Sequence, residues 1–343
     1  MTGYYVGLDV HKKTVSYCVK MADGTMVEQG VVLARRRDRD LEEWAARLEP
    51  GWVGGMEATL FTGWIYDLLQ PHAGVLRVGH PLRLKAITAA KKKSDRLDAQ
   101  TLADLLRCNL FPECYMAPPN IRELRRVLRY RNLLVQEATR MKNKTAGLLM
   151  EVGAEYNKAK LYGAKYFSQL LDNLQDTPKS VVELLKMTRV HLEVFQGAQR
   201  RLLAALAAHG ELKERVERLM TIRGVGQVMA LTWALEIGEP RRIPSIADAV
   251  SYCGLCSALD ESGGKTKRGP LSKQRNRHLQ TMLIESAKLA PRWNPTLAKV
   301  HAQALASGAN ANQATLAVAR KLVAYLLAVD RSGEAFERRE EAA

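Results

Sequence analysis

The sequence predicts an α/β domain followed by a mostly helical remainder. Strand and helix signals alternate over the first hundred or so residues, amphipathic helical periodicity follows, and helical segments set off by glycine turns fill the rest. A length of 343 residues fits two or three domains at roughly 150 residues each. Hydrophobic residues make up 47% and charged residues 26%, enough to bury ordinary cores, so whole-chain disorder is excluded.

Tyr4–Val10 reads as a strand, and so does Thr14–Met21. Ala22-Asp23-Gly24 is a hairpin turn from which Thr25–Leu33 returns as a third strand. Leu41, Trp44, Ala45 and Leu48 give Arg39–Leu48 a helical period. Trp52–Ala58 is a short strand, Thr62–Gln70 a helix ended by Pro71, and Val75–Gly79 a strand. Ser94 is placed as the N-cap of a helix running to about Leu106. The order β-β-β-α-β-α-β-α, a hairpin-linked meander followed by βα crossovers, gives a mixed sheet flanked by helices. It is the order of a ribonuclease-H-like nuclease core.

Residues 119–150 read as one long basic helix, with Ile121, Leu124, Leu128, Val135 and Ala138 at three-four spacing. Residues 180–219 form a second helical stretch with Leu185, Leu192, Phe195, Leu202 and Leu206 on its apolar side, open to interruption at Gly197 and Gly210. The pair is expected to pack as an antiparallel coiled-coil arm or between subunits. Thr221–Ala230 has the glycine spacing of a helix–hairpin–helix turn, a weak signal standing alone. Helices are expected again at 245–253, 271–289 and 312–329. The expected domains are 1–112 (ribonuclease-H-like), 113–219 (helical arm), 220–330 (helical C-terminal domain) and a frayed tail, 331–343.

The net charge is +16, and the pI of about 9.7 points to a polyanionic partner. Three windows hold it all. Residues 81–93 carry +5, with Arg83, Lys85, Lys91, Lys92 and Lys93 and no acid. Residues 119–150 carry +6, from Arg122, Arg125, Arg126, Arg129, Arg131, Arg140, Lys142 and Lys144 against Glu123 and Glu137. Residues 261–277 carry +5, from Lys265, Lys267, Arg268, Lys273, Arg275 and Arg277 against Glu261. One charge run is ordinarily a solvated face, but three in an otherwise neutral chain favour binding to a phosphate backbone. Such contacts give affinity and position, not sequence choice. Aromatics are 6% of the chain, so a single-strand stacking platform is not favoured.

A membrane span is not expected, because the longest apolar stretch, Leu316–Val329, is broken by Arg320 and Lys321. The first residues show neither a basic region nor an apolar core of a signal peptide. Five cysteines make no disulfide framework, so the reading is a reduced, cytoplasmic protein. Cys253 and Cys256 form a C-x-x-C without a second ligand pair nearby, which disfavours zinc.

Asp9 ends the first strand and Glu57 the fourth, and Asp95 and Asp98 share one face at a helix start. The predicted topology can bring all four together. Four uncompensated carboxylates repel. Divalent cations with oxygen ligands resolve this, and a pair of Mg²⁺ ions clamps the attacking and leaving oxygens of a phosphoryl transfer. Taken singly, each acid could equally be a cap or a surface carboxylate, Asp95 most of all because it follows Ser94 at a helix start.

Gly7-Leu-Asp-Val-His-Lys12, Met56-Glu-Ala-Thr59 and Lys93-Ser-Asp-Arg-Leu-Asp-Ala-Gln-Thr-Leu-Ala103 resemble the acidic motifs of the DEDD insertion-sequence transposases. Ile222–Gly226, Glu236–Gly238, Tyr252–Leu255, Ser262–Lys265, Gly269 and Leu271–Lys273 resemble the second half of that family, so the likeness covers nearly the whole chain. Departures are Cys256-Ser257 where a Thr/Val-Pro pair is usual and Arg275 where Gly often precedes Asn276. The resemblance implies a Holliday-junction-resolvase-like N-terminal domain and a bacterial recombinase that cuts and rejoins double-stranded DNA through a covalent serine link. Asp9, Glu57, Asp95 and Asp98 would hold Mg²⁺ or Mn²⁺, and Ser262 would be the nucleophile. A structured guide RNA would choose the sites, and the protein would act as a dimer or tetramer. By residue preference alone, Ser262 in Glu-Ser-Gly-Gly is a turn residue. Lys265, Lys267 and Arg268 could hold the phosphate. A nuclease that hydrolyses DNA with water would have no use for Ser262, and a binding-only protein would have no use for the acid quartet.

Overall fold

The computed structural model describes residues 3–35, 39–87, 94–262 and 265–337. They form two compact units, residues 1–119 and 120–343.

In the first unit, β1 (Tyr5–Val10), β2 (Thr14–Lys20) and β3 (Met26–Leu33) form an antiparallel meander. β4 (Val53–Glu57) and β5 (Val75–Gly79) add in parallel on the other side of β1. The sheet order is β3-β2-β1-β4-β5, consistent with a ribonuclease-H-like layout. Strand alternation sends the side chains of β1 to opposite faces. Val6, Leu8 and Val10 are buried in one core with Leu41 and Trp44 of α1 (Asp40–Arg47) and Ile65 and Leu69 of α2 (Thr62–Leu69). The opposite face carries α4 (Asp95–Arg107), following the short helix α3 (Pro81–Ile87). α4 lies so close to β1 that a Cβ on Gly7 would stand 2.0 Å from the Ala99 carbonyl oxygen and 2.5 Å from the Ala103 nitrogen. Only glycine permits that approach. Ser94 caps α4, its Oγ accepting from the Leu97 N–H at 3.3 Å.

The second unit opens with α5 (Pro119–Glu151), followed by α6 (Ala164–Asp172) and α7 (Lys179–Ala207). α5 and α7 lie side by side and antiparallel. The Thr145 hydroxyl donates to Thr188 Oγ1 at 2.9 Å, and Gln199 Nε2 donates to the Leu134 carbonyl at 2.9 Å. Gly197 lies inside α7; the break before α8 (Gly210–Met220) falls at residues 208–209. The core is centred on α9 (Gln227–Ile237), in which every residue from Met229 to Ile237 is buried. A helix buried on all sides has to be wrapped by others. α10 (Ile246–Tyr252), α11 (Arg277–Leu289), α12 (Pro295–Ala306) and α13 (Ala311–Ser332) complete the unit. Buried Asp330 of α13 ties it together, accepting from Arg215 at 2.7 Å and from Trp233 Nε1 at 2.9 Å.

Two expectations fail here. The segment 271–289 is not one helix: Lys265–Leu271 is strand β7, paired antiparallel with β6 (Ser257–Ser262), and α11 begins at Arg277. Asn276 starts it, its side chain accepting from the His278 and Leu279 N–H groups. Helix α12 was not anticipated, although Asn294 caps it and Pro295 opens it. Among the described residues, no helix is long and apolar enough to cross a membrane.

Candidate active site

Parallel register aligns β1 with β4 through the pairs Gly7 with Gly55 and Leu8 with Met56. Asp9 and Glu57 are each one residue further on, at the adjacent ends of neighbouring strands. Asp9 shares Gly7's face of the sheet, the α4 face, and the first turn of α4 supplies Asp95 and Asp98. Asp9, Glu57 and Asp98 line one cleft with Lys85 of α3. Its volume of about 190 Å³ is below the ~300 Å³ at which small-molecule pockets begin, so it suits an ion and a phosphate group. Asp95 stands at the rim, reached through His11: the His11 Nε2 lies 3.1 Å from Asp9 Oδ2 and 3.3 Å from Asp95 Oδ2.

The electrostatics favour a cation. Burial raises the pKa of the Asp9 carboxyl, the charge of His11 opposes this, and the charges of Asp95 and Asp98 add to it. Asp9, His11 and Asp95 each present a ligand atom within 4.8 Å of the others. Carboxylate oxygens and an imidazole are a fitting donor set for a divalent metal. His11 was missed by sequence reasoning as a site residue. No spacing signal marked it: it lies just past the end of β1, and only the fold sets it beside Asp95.

Ser262 ends β6 and pairs with Lys265 of β7, with Gly263 and Gly264 between them outside the described residues. The backbone register places Lys267 opposite Asp260 and Arg268 opposite Leu259.

Two comparisons bear on this arrangement. Residues 6–153 match the family model for the IS110-type DEDD transposases, described as "Transposase", and residues 216–302 match the "Transposase IS116/IS110/IS902 family". The first spans the acids and the second the hairpin. The chain belongs to the IS110-type DEDD transposases. It is therefore a DNA transposase, and so an enzyme. It is 27% identical over 338 residues to a "Probable family 20 transposase" of Pseudomonas aeruginosa, covering 94% of this chain and 96% of that one. It is also 27% identical over 240 residues to the transposase for insertion sequence element IS1111A of Coxiella burnetii, covering 67% and 64%.

The basic residues of this transposase divide. Lys91, Lys92 and Lys93 lie outside the described residues. Arg126 and Lys273 are exposed, and Arg122 is half-buried. Arg125 and Arg129 differ from expectation. Arg129 donates through Nε and Nη2 to both carboxylate oxygens of Glu236 at 2.8 Å, and Glu236 is wholly buried. Arg125 donates to the Leu235 carbonyl at 2.8–2.9 Å, with its Nε 3.8 Å from the same carboxylate. Both guanidinium groups are engaged by α9, as a buried carboxylate requires a paired cation, although the Arg129 side chain stays 46% exposed.

Proposed function

We propose that this transposase is an RNA-guided recombinase that cuts and rejoins DNA through Ser262. The observation that carries the reading is the convergence of Asp9, Glu57 and Asp98 on one cleft, with Asp95 joined through His11. Asp9, Glu57, Asp95 and Asp98 would hold Mg²⁺ or Mn²⁺ there, and the ion would supply the positive charge that phosphoryl transfer needs. Ser262 Oγ attacks the phosphorus and loses its proton. A phosphoserine ester forms as the bond to one DNA oxygen breaks, and that strand end leaves as a hydroxyl. Attack by an incoming DNA hydroxyl reverses the step and frees the serine. The ester conserves the bond energy, so joining needs no nucleotide cofactor. The two glycines that follow Ser262 in the sequence carry no side chain to keep a phosphate away. Lys265, Lys267, Arg268 and Lys273 draw the phosphate backbone, with Arg122, Arg126 and Lys91–Lys93. A structured RNA is the proposed guide, and association of subunits through α5 and α7 the proposed assembly.

A suicide DNA substrate with guide RNA and Mg²⁺ should trap a denaturant-resistant protein–DNA adduct that maps to the peptide containing Ser262. Ser262→Ala should abolish it, and Ser272→Ala, the matched control, should not. Asp98→Asn should abolish strand exchange while folding and DNA binding persist. Free ends without an adduct would replace this reading with hydrolysis by water. RNA recovered with the purified protein should be one discrete structured species; random cellular RNA would leave charge alone as the explanation.

A further inference from the structure

The β6–β7 hairpin projects from the helical unit, and both of its ends are pinned. On the entering side, Gln280 Nε2 donates to the Gly254 carbonyl at 2.6 Å, and Arg320 donates through Nε and Nη2 to the Leu255 carbonyl at 3.0 and 2.8 Å. On the leaving side, the Ser272 N–H donates to the Cys256 carbonyl at 3.0 Å and the Asn276 N–H to the Tyr252 carbonyl at 3.0 Å. The Asn276 side chain then donates from Nδ2 to Glu236 Oε2 at 2.9 Å, while its Oδ1 caps α11. Glu236 is the carboxylate that Arg129 grips from α5. The Tyr252 hydroxyl closes the loop, donating to the Glu236 carbonyl at 3.2 Å.

We infer that Glu236 is a positioning residue: the relay Arg129–Glu236–Asn276 fixes the base of the Ser262 hairpin against the long helix α5. The inference rests on the assignment of Ser262 as nucleophile. Burial alone would raise the Glu236 carboxyl pKa, but the hydrogen bonds and charge of Arg129, with Asn276 and Arg125 adding, hold it below the usual carboxylate range. The residue is thus an anion with fixed partners on two elements. Geometry gives the relay leverage. Ser262 stands five residues beyond the start of β6, about 17 Å at 3.4 Å per residue. A tilt of about 4° at the base moves the tip by roughly 1 Å over that length. A misplacement of ~1 Å between reacting groups can cost ~100-fold in rate.

Two variants separate positioning from folding. Glu236→Gln removes the charge that Arg129 grips. Asn276→Ser keeps a capping oxygen for α11 but loses the amide that reaches Glu236. In both, backbone hydrogen exchange within 257–271 should rise at least ~10-fold while α13 keeps its protection. Adduct formation on the suicide substrate should slow by ~10- to 100-fold, with the DNA dissociation constant within ~2-fold of wild type. Unchanged hairpin exchange, or an equal rise in α13, overturns the inference, since the network would then be absent or merely global. Unchanged adduct rate with a loosened hairpin overturns it as well. Ser262→Ala, run in parallel, tests the serine reading separately: an adduct that survives it condemns the nucleophile, whereas the exchange measurement does not depend on Ser262.

Discussion

Asp9 is proposed as a metal ligand, and its burial sets its charge against the metal-free fold. Its pKa is raised above the ordinary 3.8, with burial as the first cause. A carboxyl with a raised folded-state pKa favours the fold when protonated. That contribution is lost as pH rises from the unfolded value through the raised one. At neutral pH the ionised Asp9 therefore weighs on the metal-free protein. Asp9→Asn should raise the thermal midpoint in excess chelator at pH 7, and the gain should vanish below about pH 4, where the wild-type acid is already protonated. Added Mg²⁺ or Mn²⁺ should stabilise the wild type and leave the variant nearly unmoved. A lower midpoint for Asp9→Asn in chelator would instead make the contact with His11 structural. The acids were legible from residue type and strand ends. His11 was not, because a lone histidine carries no spacing signal until Asp95 is folded beside it.

Among the elements, α4 depends on Gly7 for its position. A methyl group there meets backbone, which cannot turn aside as a side chain can. Gly7→Ala should cost ~1–3 kcal/mol in stability through overpacking. It should also weaken Mn²⁺ binding measured by calorimetry, because moving α4 carries Asp95 and Asp98 away from Asp9. Equal Mn²⁺ affinity would mean the acids adjust independently of the helix. Gly197 is the contrast: it lies within α7, and a Cβ added there would meet nothing within 4 Å. Gly197→Ala should stabilise the protein by ~0.5–1 kcal/mol in chemical denaturation, and a loss would reveal a contact on that face. The strands of the first unit and helices α1, α2 and α4 were readable from apolar runs, turn residues and caps, whereas the short helix α3 was not anticipated. The β6–β7 hairpin was not, since Lys265–Leu271 carries Lys, Arg, Gly and Pro in place of the alternation that marks a half-buried strand. The segments that flank the hairpin are held by partners distant in sequence, among them Glu236 and Arg320.

At the scale of the whole molecule, the charge of +16 does not act as a single pool. Residues 119–150 look uniformly basic in sequence, yet folding divides them. Arg125 and Arg129 turn to Leu235 and Glu236, Arg140 pairs with Glu137 at 2.7 Å, and Arg126 and Lys144 are exposed. Only a cation that neutralises a phosphate and releases its counterion contributes to the salt dependence of DNA binding, about 0.9 in the slope of log K against log salt for each contact. The double variant Arg126→Gln, Lys144→Gln should therefore flatten that slope by up to ~1.8 while leaving the thermal midpoint near wild type. Arg129→Gln removes the same formal charge as either of those substitutions. It should leave the slope unchanged and lower the midpoint, because it strands a buried carboxylate. Titrations of one duplex between about 50 and 200 mM salt, with melting curves on the same preparations, decide between the two behaviours. A flattened slope for Arg129→Gln would mean that the ion pair with Glu236 opens when DNA arrives, and that this arginine serves phosphate after all. An unchanged slope for the double variant would return the exposed face of α5 to solvent and leave the basic residues of the other two windows to carry the DNA.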